Sequence, residues 1–163
     1  MQESADPMRA QIRTLLEEAR GEFTDLVGSL SNADLRLKAP DSGWTVGEVA
    51  VHVVWSLEHT PALIHALRRN KDYLNSPLPV TERIKRLNTW WTARRVTPQA
   101  LVRRFEAAFP SVLALVNTIQ SDEWERSGRA YGEGSWTVGN ALRHQGEHVE
   151  EHIQQIRRLL RQD

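Results

Sequence analysis

The chain has 163 residues, no cysteine, and equal numbers of acidic and basic residues, 21 of each. Its length is enough for a hydrophobic core, and 40% hydrophobic with 26% charged residues is a globular composition. The lack of cysteine excludes disulfides, thiolate metal sites and a cysteine nucleophile. Zero net charge disfavours nucleic-acid binding, and no apolar run approaches the ~18 residues of a membrane span. We expect a single cytoplasmic domain over residues 1–163, with no nucleic-acid or membrane partner.

The N-terminal part of the chain predicts one long amphipathic helix. Apolar residues recur there at steps of three and four, from residue 8 to residue 30. Asp6 is the predicted N-cap, and Pro7 is the predicted first residue, where its missing N–H costs nothing. Residues 31–43 are rich in turn formers and are expected to form a loop.

The second helix is predicted to open at Thr45, which can form a capping box with Glu48 three residues later. Pro61 is expected to kink or break it, because proline removes one backbone hydrogen bond. Turn residues over 75–79 end this unit, and a short helix is predicted around 81–94.

Two further long helices follow the short one. The third long helix begins at Thr97 with a cap-then-proline start, and Pro110 is expected to bend it. Residues 121–135 have loop composition, and Thr137 is the predicted cap of a last helix that runs to about Leu160. No alternating run of four to eight residues is present, so strands are not expected. The sequence thus predicts an all-α four-helix bundle, with a long crossover between helices two and three and short extra helices.

A short segment recurs near the start of the second and last helices. Residues 43–47 read GWTVG and precede His52, and residues 135–139 read SWTVG and precede His144. In both copies a tryptophan stands before the capping threonine, where an apolar side chain can pack onto the first turn. We interpret the repeat mainly as architecture, as the entry signal of two related helix pairs.

The histidine spacing points to a metal site. His144, His148 and His152 stand four residues apart in the last helix, so neighbouring rings lie one turn apart and two can converge on one ion. On a helical wheel, His152 lies about 40°, His148 about 80° and His144 about 120° from the inward direction. His148 and His152 are therefore the predicted pair. A third ligand is expected from the second helix, where the wheel leaves both His52 and His59 as candidates.

The residue types limit what such a site would do. Imidazole suits Zn²⁺, Ni²⁺, Cu²⁺ and Fe²⁺, and three protein ligands leave open positions, as in catalytic metal sites. The spacing alone is equally consistent with histidines that are hydrogen-bonded at a charged rim beside Glu147, Glu150 and Glu151.

Two motifs resemble those of the DinB-like superfamily, a group of bacterial metal-binding four-helix bundles. Residues 44–49 read WTVGEV and lead to His52, and the spaced histidines of the last helix are followed by Gln155. The resemblance implies a divalent ion, Zn, Ni or Fe, held by His52, His148 and His152. The remaining histidine of the last helix is normally not a ligand in such proteins.

The resemblance also implies a choice of activities. Relatives of this kind include metal-dependent hydrolases and thiol-dependent transferases or isomerases that use bacillithiol or mycothiol, and many form homodimers. The expected function is therefore a metal-dependent hydrolase or a low-molecular-weight-thiol S-transferase that acts on a small-molecule substrate. The alternative is a stress-related, non-catalytic metal-binding or dimer-forming protein, with a closed site completed by His59 or Glu151.

Other residues are candidates for the surroundings of the site. The candidates for an apolar pocket wall are Trp55, Trp90 and Trp91, and those for meeting a carboxylate of a cofactor or substrate are Arg94 and Arg95. The candidates for an acid or base, which no motif assigns, are Glu151, Tyr131 and Glu58.

The internal repeat bears on how the three ligands meet. It equates His52 with His144, so helices that enter the bundle at the same level would place His148 and His152 one and two turns deeper than His52. A register shift or a tilt between the two helices is then expected to close the gap.

Overall fold

The computed structural model describes residues 7–39, 43–75 and 78–161, without the side chains of residues 78, 81, 82 and 85. It contains five α-helices: α1 Pro7–Gly28, α2 Val46–Leu67, α3 Leu78–Ala93, α4 Pro98–Thr118 and α5 Val138–Leu160. A short 3-10 helix, Asp34–Arg36, lies between α1 and α2, and two strands, β1 Ser127–Arg129 and β2 Ser135–Thr137, lie before α5. The predicted cap Asp6 lies outside the described residues.

The predicted four-helix bundle with a long crossover is confirmed. The four long helices are α1, α2, α4 and α5, and α1 and α2 each pack against both α4 and α5. The order around the bundle is therefore α1, α4, α2, α5. The crossover from α2 to α4 carries α3, which packs on α2. None of the described helices combines the length and the apolar content needed to cross a lipid bilayer.

The apolar positions predicted from periodicity form the core. In α1 the buried residues are Ile12, Leu16, Ala19, Phe23 and Val27. Phe23 stacks on Phe105 of α4, with ring centroids 4.4 Å apart. Helix α2 is apolar on most sides because it packs against three other helices. Burial of each large aliphatic side chain stabilises the folded state by about 1.5–3 kcal/mol. His52 interrupts the most apolar part of this helix.

The helix starts follow the predicted caps. The Thr45 hydroxyl accepts from the Glu48 amide at 3.1 Å, and the Glu48 carboxylate accepts from the Thr45 amide at 2.7 Å, so the capping box of α2 is complete. The Thr137 hydroxyl caps α5 by accepting from the amide of Asn140. Helix α2 continues through Pro61 to its end, so the proline does not break it, and α4 likewise continues through its own proline.

The prediction that no strands precede the last helix was wrong. Strand β1 pairs antiparallel with β2, with Ser127 opposite Thr137. Each strand has only three residues, too few to show an alternating pattern in the sequence. The turn between the strands contains Tyr131 at φ 57°, followed by Gly132 and Gly134, which also have positive φ. This hairpin leads directly into α5, so its turn is held close to the start of that helix.

Helices α2 and α5 run antiparallel. Arg126, just before the hairpin, donates to the carbonyl oxygen of Arg68 at the end of α2, at 2.9 Å. Closer to the middle of α2, Thr60 is hydrogen-bonded to Gln145 of α5, at 2.9 Å. The start of α5 therefore lies beside the end of α2, and residues later in α5 face residues earlier in α2.

Gly128 in β1 offers a test of how the hairpin is seated. A Cβ at this position would lie 2.2 Å from the carbonyl oxygen of Lys71. Backbone atoms cannot swing aside as a flexible side chain can, so Gly128→Ala should lower the free energy of unfolding by about 1–3 kcal/mol. Urea denaturation measures the change.

Gly21 provides the matched control, because it lies in α1 and a Cβ added there would meet no atom within 4 Å. Gly21→Ala should leave the free energy of unfolding unchanged or raise it, since alanine favours the helix. Equal unfolding midpoints for the two variants would contradict the hairpin packing described above.

Candidate metal centre

Three histidines from two helices meet between α2 and α5. His52, His148 and His152 each offer a ligand atom, and these atoms all lie within 4.8 Å of one another. The ring centroid of His52 is 4.9 Å from that of His148 and 5.1 Å from that of His152. Imidazole binds Zn²⁺ at ~2.0–2.1 Å, so side-chain rotation can bring three rings at this spacing onto one ion. Within the described ranges, no other three His, Asp or Glu side chains are grouped in this way.

The antiparallel direction of α2 and α5 explains how these rings meet. Since α5 runs back along α2, residues near the start of α2 face the middle of α5. His52 thus lies opposite His148 and His152 rather than opposite His144. The predicted register shift assumed that the two helices enter the bundle at the same level, and that assumption was wrong.

Gln155 holds the imidazole of His152. The Nδ1 atom of His152 lies 2.8 Å from the Gln155 amide oxygen, and an oxygen acceptor there requires the proton on Nδ1. Nε2 then keeps its lone pair, as a metal ligand must. Burial lowers the pKa of His152 below its ordinary value, although the bond to Gln155 opposes this shift. Both the neutral state and the tautomer suit metal binding.

The repeated sequence segment produces a repeated packing of tryptophan on histidine. The ring centroid of Trp44 lies 5.7 Å from that of His52, nearly perpendicular to it. In the second copy, Trp136 lies 4.8 Å from His144. The two copies thus share a contact as well as an entry signal. His144 is exposed and outside the group of three, and its ring centroid is 5.4 Å from that of His148.

A cavity of about 430 Å³ adjoins the three imidazoles. Its aromatic walls are Trp44, Trp55, Tyr131 and Trp136. Two of these four come from α2 or its entry, and two come from the hairpin before α5. The hairpin that sequence reasoning missed therefore closes one side of the cavity.

A buried polar cluster also lines this cavity. The Thr60 hydroxyl lies 2.9 Å from Gln145 Oε1, and Gln145 Nε2 donates to the Ser56 hydroxyl at 3.2 Å. Gln145 is only 6% exposed. A primary amide has two N–H donors, and within the described part of the chain one of them is used here. The second is available to a ligand in the cavity.

Several residues considered as ligands or acid–base groups lie outside the group of three. The Nδ1 atom of His59 is hydrogen-bonded to the carbonyl oxygen of Trp55 at 2.8 Å, and its ring stacks on the Trp55 indole. Glu58 forms an ion pair with Arg104 at 2.7 Å. Glu151 is exposed and does not line the cavity.

Tyr131 is the candidate acid–base group that the structure brings to the cavity. Its ring lies between Trp55 and Tyr73, with centroids 6.3 Å and 5.8 Å away. Burial raises the pKa of the Tyr131 phenol far above its ordinary value. The phenol therefore stays protonated near neutral pH, where it can donate a hydrogen bond but cannot act as a base.

Two of the three tryptophans predicted as pocket walls lie elsewhere. Trp55 lines the cavity, whereas Trp90 and Trp91 stand on α3, 37% and 52% exposed. Each is covered by a guanidinium group: Arg94 lies 3.8 Å from the Trp90 ring centroid, and Arg95 lies 5.4 Å from that of Trp91. Neither arginine lines the cavity beside the imidazoles.

Sequence reasoning did not assign Trp44, Trp136 or Gln145 to the site. Both tryptophans belong to the internal repeat, but a shared way of starting the two helices explained that repeat equally well. Gln145 stands three residues before His148, on the same face of α5. A polar residue on that face is a weak signal until the partner helix is known.

The sequence profile of the DinB superfamily matches residues 15–156. The fold is similar to that of YfiT from Bacillus subtilis, described as a probable metal-dependent hydrolase with an unusual four-helix bundle topology. The TM-score is 0.78 at 18% identity, over 99% of this chain and 91% of that one.

The fold is also similar to that of a mycothiol-dependent maleylpyruvate isomerase, with a TM-score of 0.71 at 16% identity. This second match covers 89% of this chain and 59% of the isomerase. No curated protein sequence shows a significant match. Both structural matches show a shared fold, and the profile covers most of the sequence. The chain belongs to the DinB superfamily.

Proposed function

We propose that this chain is an enzyme that binds one divalent metal ion through His52, His148 and His152 and acts on a small molecule in the adjoining cavity. The observation that carries the proposal is the convergence of three imidazoles beside a cavity of about 430 Å³. Zn²⁺, Ni²⁺ and Fe²⁺ all suit such a set of ligands. A bound ion would supply Lewis-acid activation of an oxygen or sulfur atom.

The residues around the cavity have distinct roles in this proposal. The aromatic walls exclude water and accept an apolar part of the substrate. The remaining N–H of Gln145 donates to a substrate oxygen, which orients the substrate relative to the imidazoles. Tyr131, held protonated, supplies a second donor.

The open cavity favours an enzyme over a closed, non-catalytic metal-binding protein. A closed site needs a fourth protein ligand, and His59 and Glu151 were the candidates for it. Neither His59 nor Glu151 lines the cavity or belongs to the group of three side chains that converge there. Three protein ligands and access for a small molecule are typical of catalytic metal sites.

We propose hydrolysis as the reaction class. The support is the likeness to YfiT, which extends over nearly the whole of both chains. Thiol transfer is the second candidate, because the mycothiol-dependent isomerase shares the fold. This chain has no cysteine, so the sulfur would have to come from a separate thiol such as bacillithiol or mycothiol.

We also propose that the protein is a cytoplasmic homodimer without nucleic-acid or membrane partners.

Metal content tests the proposed ligands. The purified wild-type protein should hold about one divalent ion per chain, measured by plasma mass spectrometry. His148→Ala should lose the ion, because two imidazoles bind it much more weakly than three. His144→Ala is the matched control on the same helix and should keep the ion. Equal metal content in the two variants would show that the proposed ligand set is wrong.

The contact between Gln155 and His152 makes a separate prediction. Gln155→Leu should weaken metal affinity by about 10–100-fold, since it removes the acceptor that orients His152. Gln155→Glu should retain the affinity, because a carboxylate oxygen also accepts from Nδ1. Competition with a chromogenic chelator measures both values. If the leucine variant bound metal as tightly as the wild type, the bond would have no part in the site.

Activity assays separate the two reaction classes. The metal-loaded protein should hydrolyse members of a panel of small esters, amides and lactones without any added thiol. The same panel with bacillithiol or mycothiol tests the second candidate. Turnover only in the presence of thiol would replace the hydrolase proposal with the transferase. A loaded protein with no turnover and no thiol binding would favour the non-catalytic alternative.

A further inference from the structure

A second cleft, of about 1060 Å³, lies between the start of α2, the crossover helix α3 and the start of α4. It shares no lining residue with the cavity beside the histidines. Its lining contains six basic side chains: Arg36, Lys38, Arg83, Arg86, Arg94 and Arg95. Glu48 is the one carboxylate among its described lining residues. A chain with no net charge therefore concentrates positive charge at one place.

The basic residues of the cleft differ from several others on this protein in their lack of acidic partners among the described residues. Arg104 forms an ion pair with Glu58 at 2.7 Å, and Arg68 with Glu123 at 2.8 Å. No ion pair within the described part of the chain involves any of the six cations of the cleft, and all six are exposed. Glu48 supplies one negative charge against six positive ones, and its carboxylate accepts a hydrogen bond from the backbone amide of Thr45.

The backbone adds to the positive potential. Thr45 and Thr97, the N-caps of α2 and α4, both line the cleft. Each of these helices is longer than 20 residues, and the N-terminal end of a helix carries a partial positive charge. Two such ends and six cations act on the same volume. This combination is independent of whether the histidines bind metal.

One arginine of the cleft is held in place by a neighbouring tryptophan. The Arg94 guanidinium lies 3.8 Å from the centroid of the Trp90 ring, and Trp90 and Leu87 line the cleft beside it. Stacking on an indole restricts the arginine, so that less entropy is lost when it binds an anion. The indole and Leu87 offer a small apolar surface next to the charges.

We propose that this cleft binds a small molecule that carries two or more phosphate or carboxylate groups. The planar guanidinium group of arginine can donate two parallel hydrogen bonds to two oxygens of a phosphate or of a carboxylate. The cationic side chains come from different sides of the cleft. Arg36 and Lys38 lie before α2, and Arg83 and Arg86 lie on α3. A ligand with several separated anionic groups therefore satisfies more of them than a single anion does. A symmetric contact with the same cleft of a second copy is disfavoured, because it would bring equal charges together.

Isothermal titration calorimetry of the whole chain tests the proposal, with inorganic triphosphate and citrate as the two probes. At least one probe should bind saturably with one site per chain, and its affinity should fall as the salt concentration rises. Binding of triphosphate alone identifies phosphate groups, and binding of citrate alone identifies carboxylates. The double variant Arg83→Gln/Arg86→Gln should bind at least about tenfold more weakly.

Arg104→Gln is the matched control, because it removes a surface arginine outside the cleft and should leave the affinity unchanged. Circular dichroism and metal content establish that each variant is folded, with the histidine site unaffected. The proposal is overturned if neither probe gives saturable binding, or if the double variant binds as the wild type does. It is also overturned if small anions fail to bind and the double variant turns a dimer into a monomer, because the cleft is then an interface between copies.

Discussion

The antiparallel packing of α2 against α5 is the contact on which the candidate site depends. It places one histidine near the start of α2 against two in the middle of α5, and it aligns Thr60 with Gln145 along the same interface. The cavity lies along this pair of helices, and the hairpin closes it because the hairpin is joined to the first turn of α5. The convergence of the three histidines, the shape of the cavity and the polar cluster are thus consequences of one helix–helix contact.

The same contact carries an energetic cost. The half-buried imidazole of His52 stands in an otherwise apolar stretch of α2, and on α5 burial disfavours the charged form of His152 and lowers its pKa. A core designed only for stability would place aliphatic side chains there. The rings are held in place by defined contacts: Trp44 packs on His52, and Gln155 accepts from His152. Residues that orient an imidazole are what a metal site requires.

Net charge proved a poor guide to the local surface. Equal numbers of acidic and basic residues exclude a strong overall field, yet the cleft between α2, α3 and α4 gathers six cations from three separate parts of the chain. In the sequence these residues are scattered pairs that resemble ordinary solvated arginines. Folding brings them together because the crossover returns α3 to the start of α2. The cavity with imidazoles and aromatic walls and the basic cleft are therefore separate regions of the surface.

The sequence by itself determined the local features of this protein. Helix periodicity, the Thr45 and Thr137 caps and the spacing of His148 and His152 depend on residues a few positions apart, so they could be predicted from the printed chain. The three-residue strands could not, because they are shorter than any detectable alternation. The relative direction of α2 and α5 is a long-range property, decided by how the connections let apolar faces pack. The antiparallel direction placed His52 rather than His59 beside His148 and His152, and no register shift was needed.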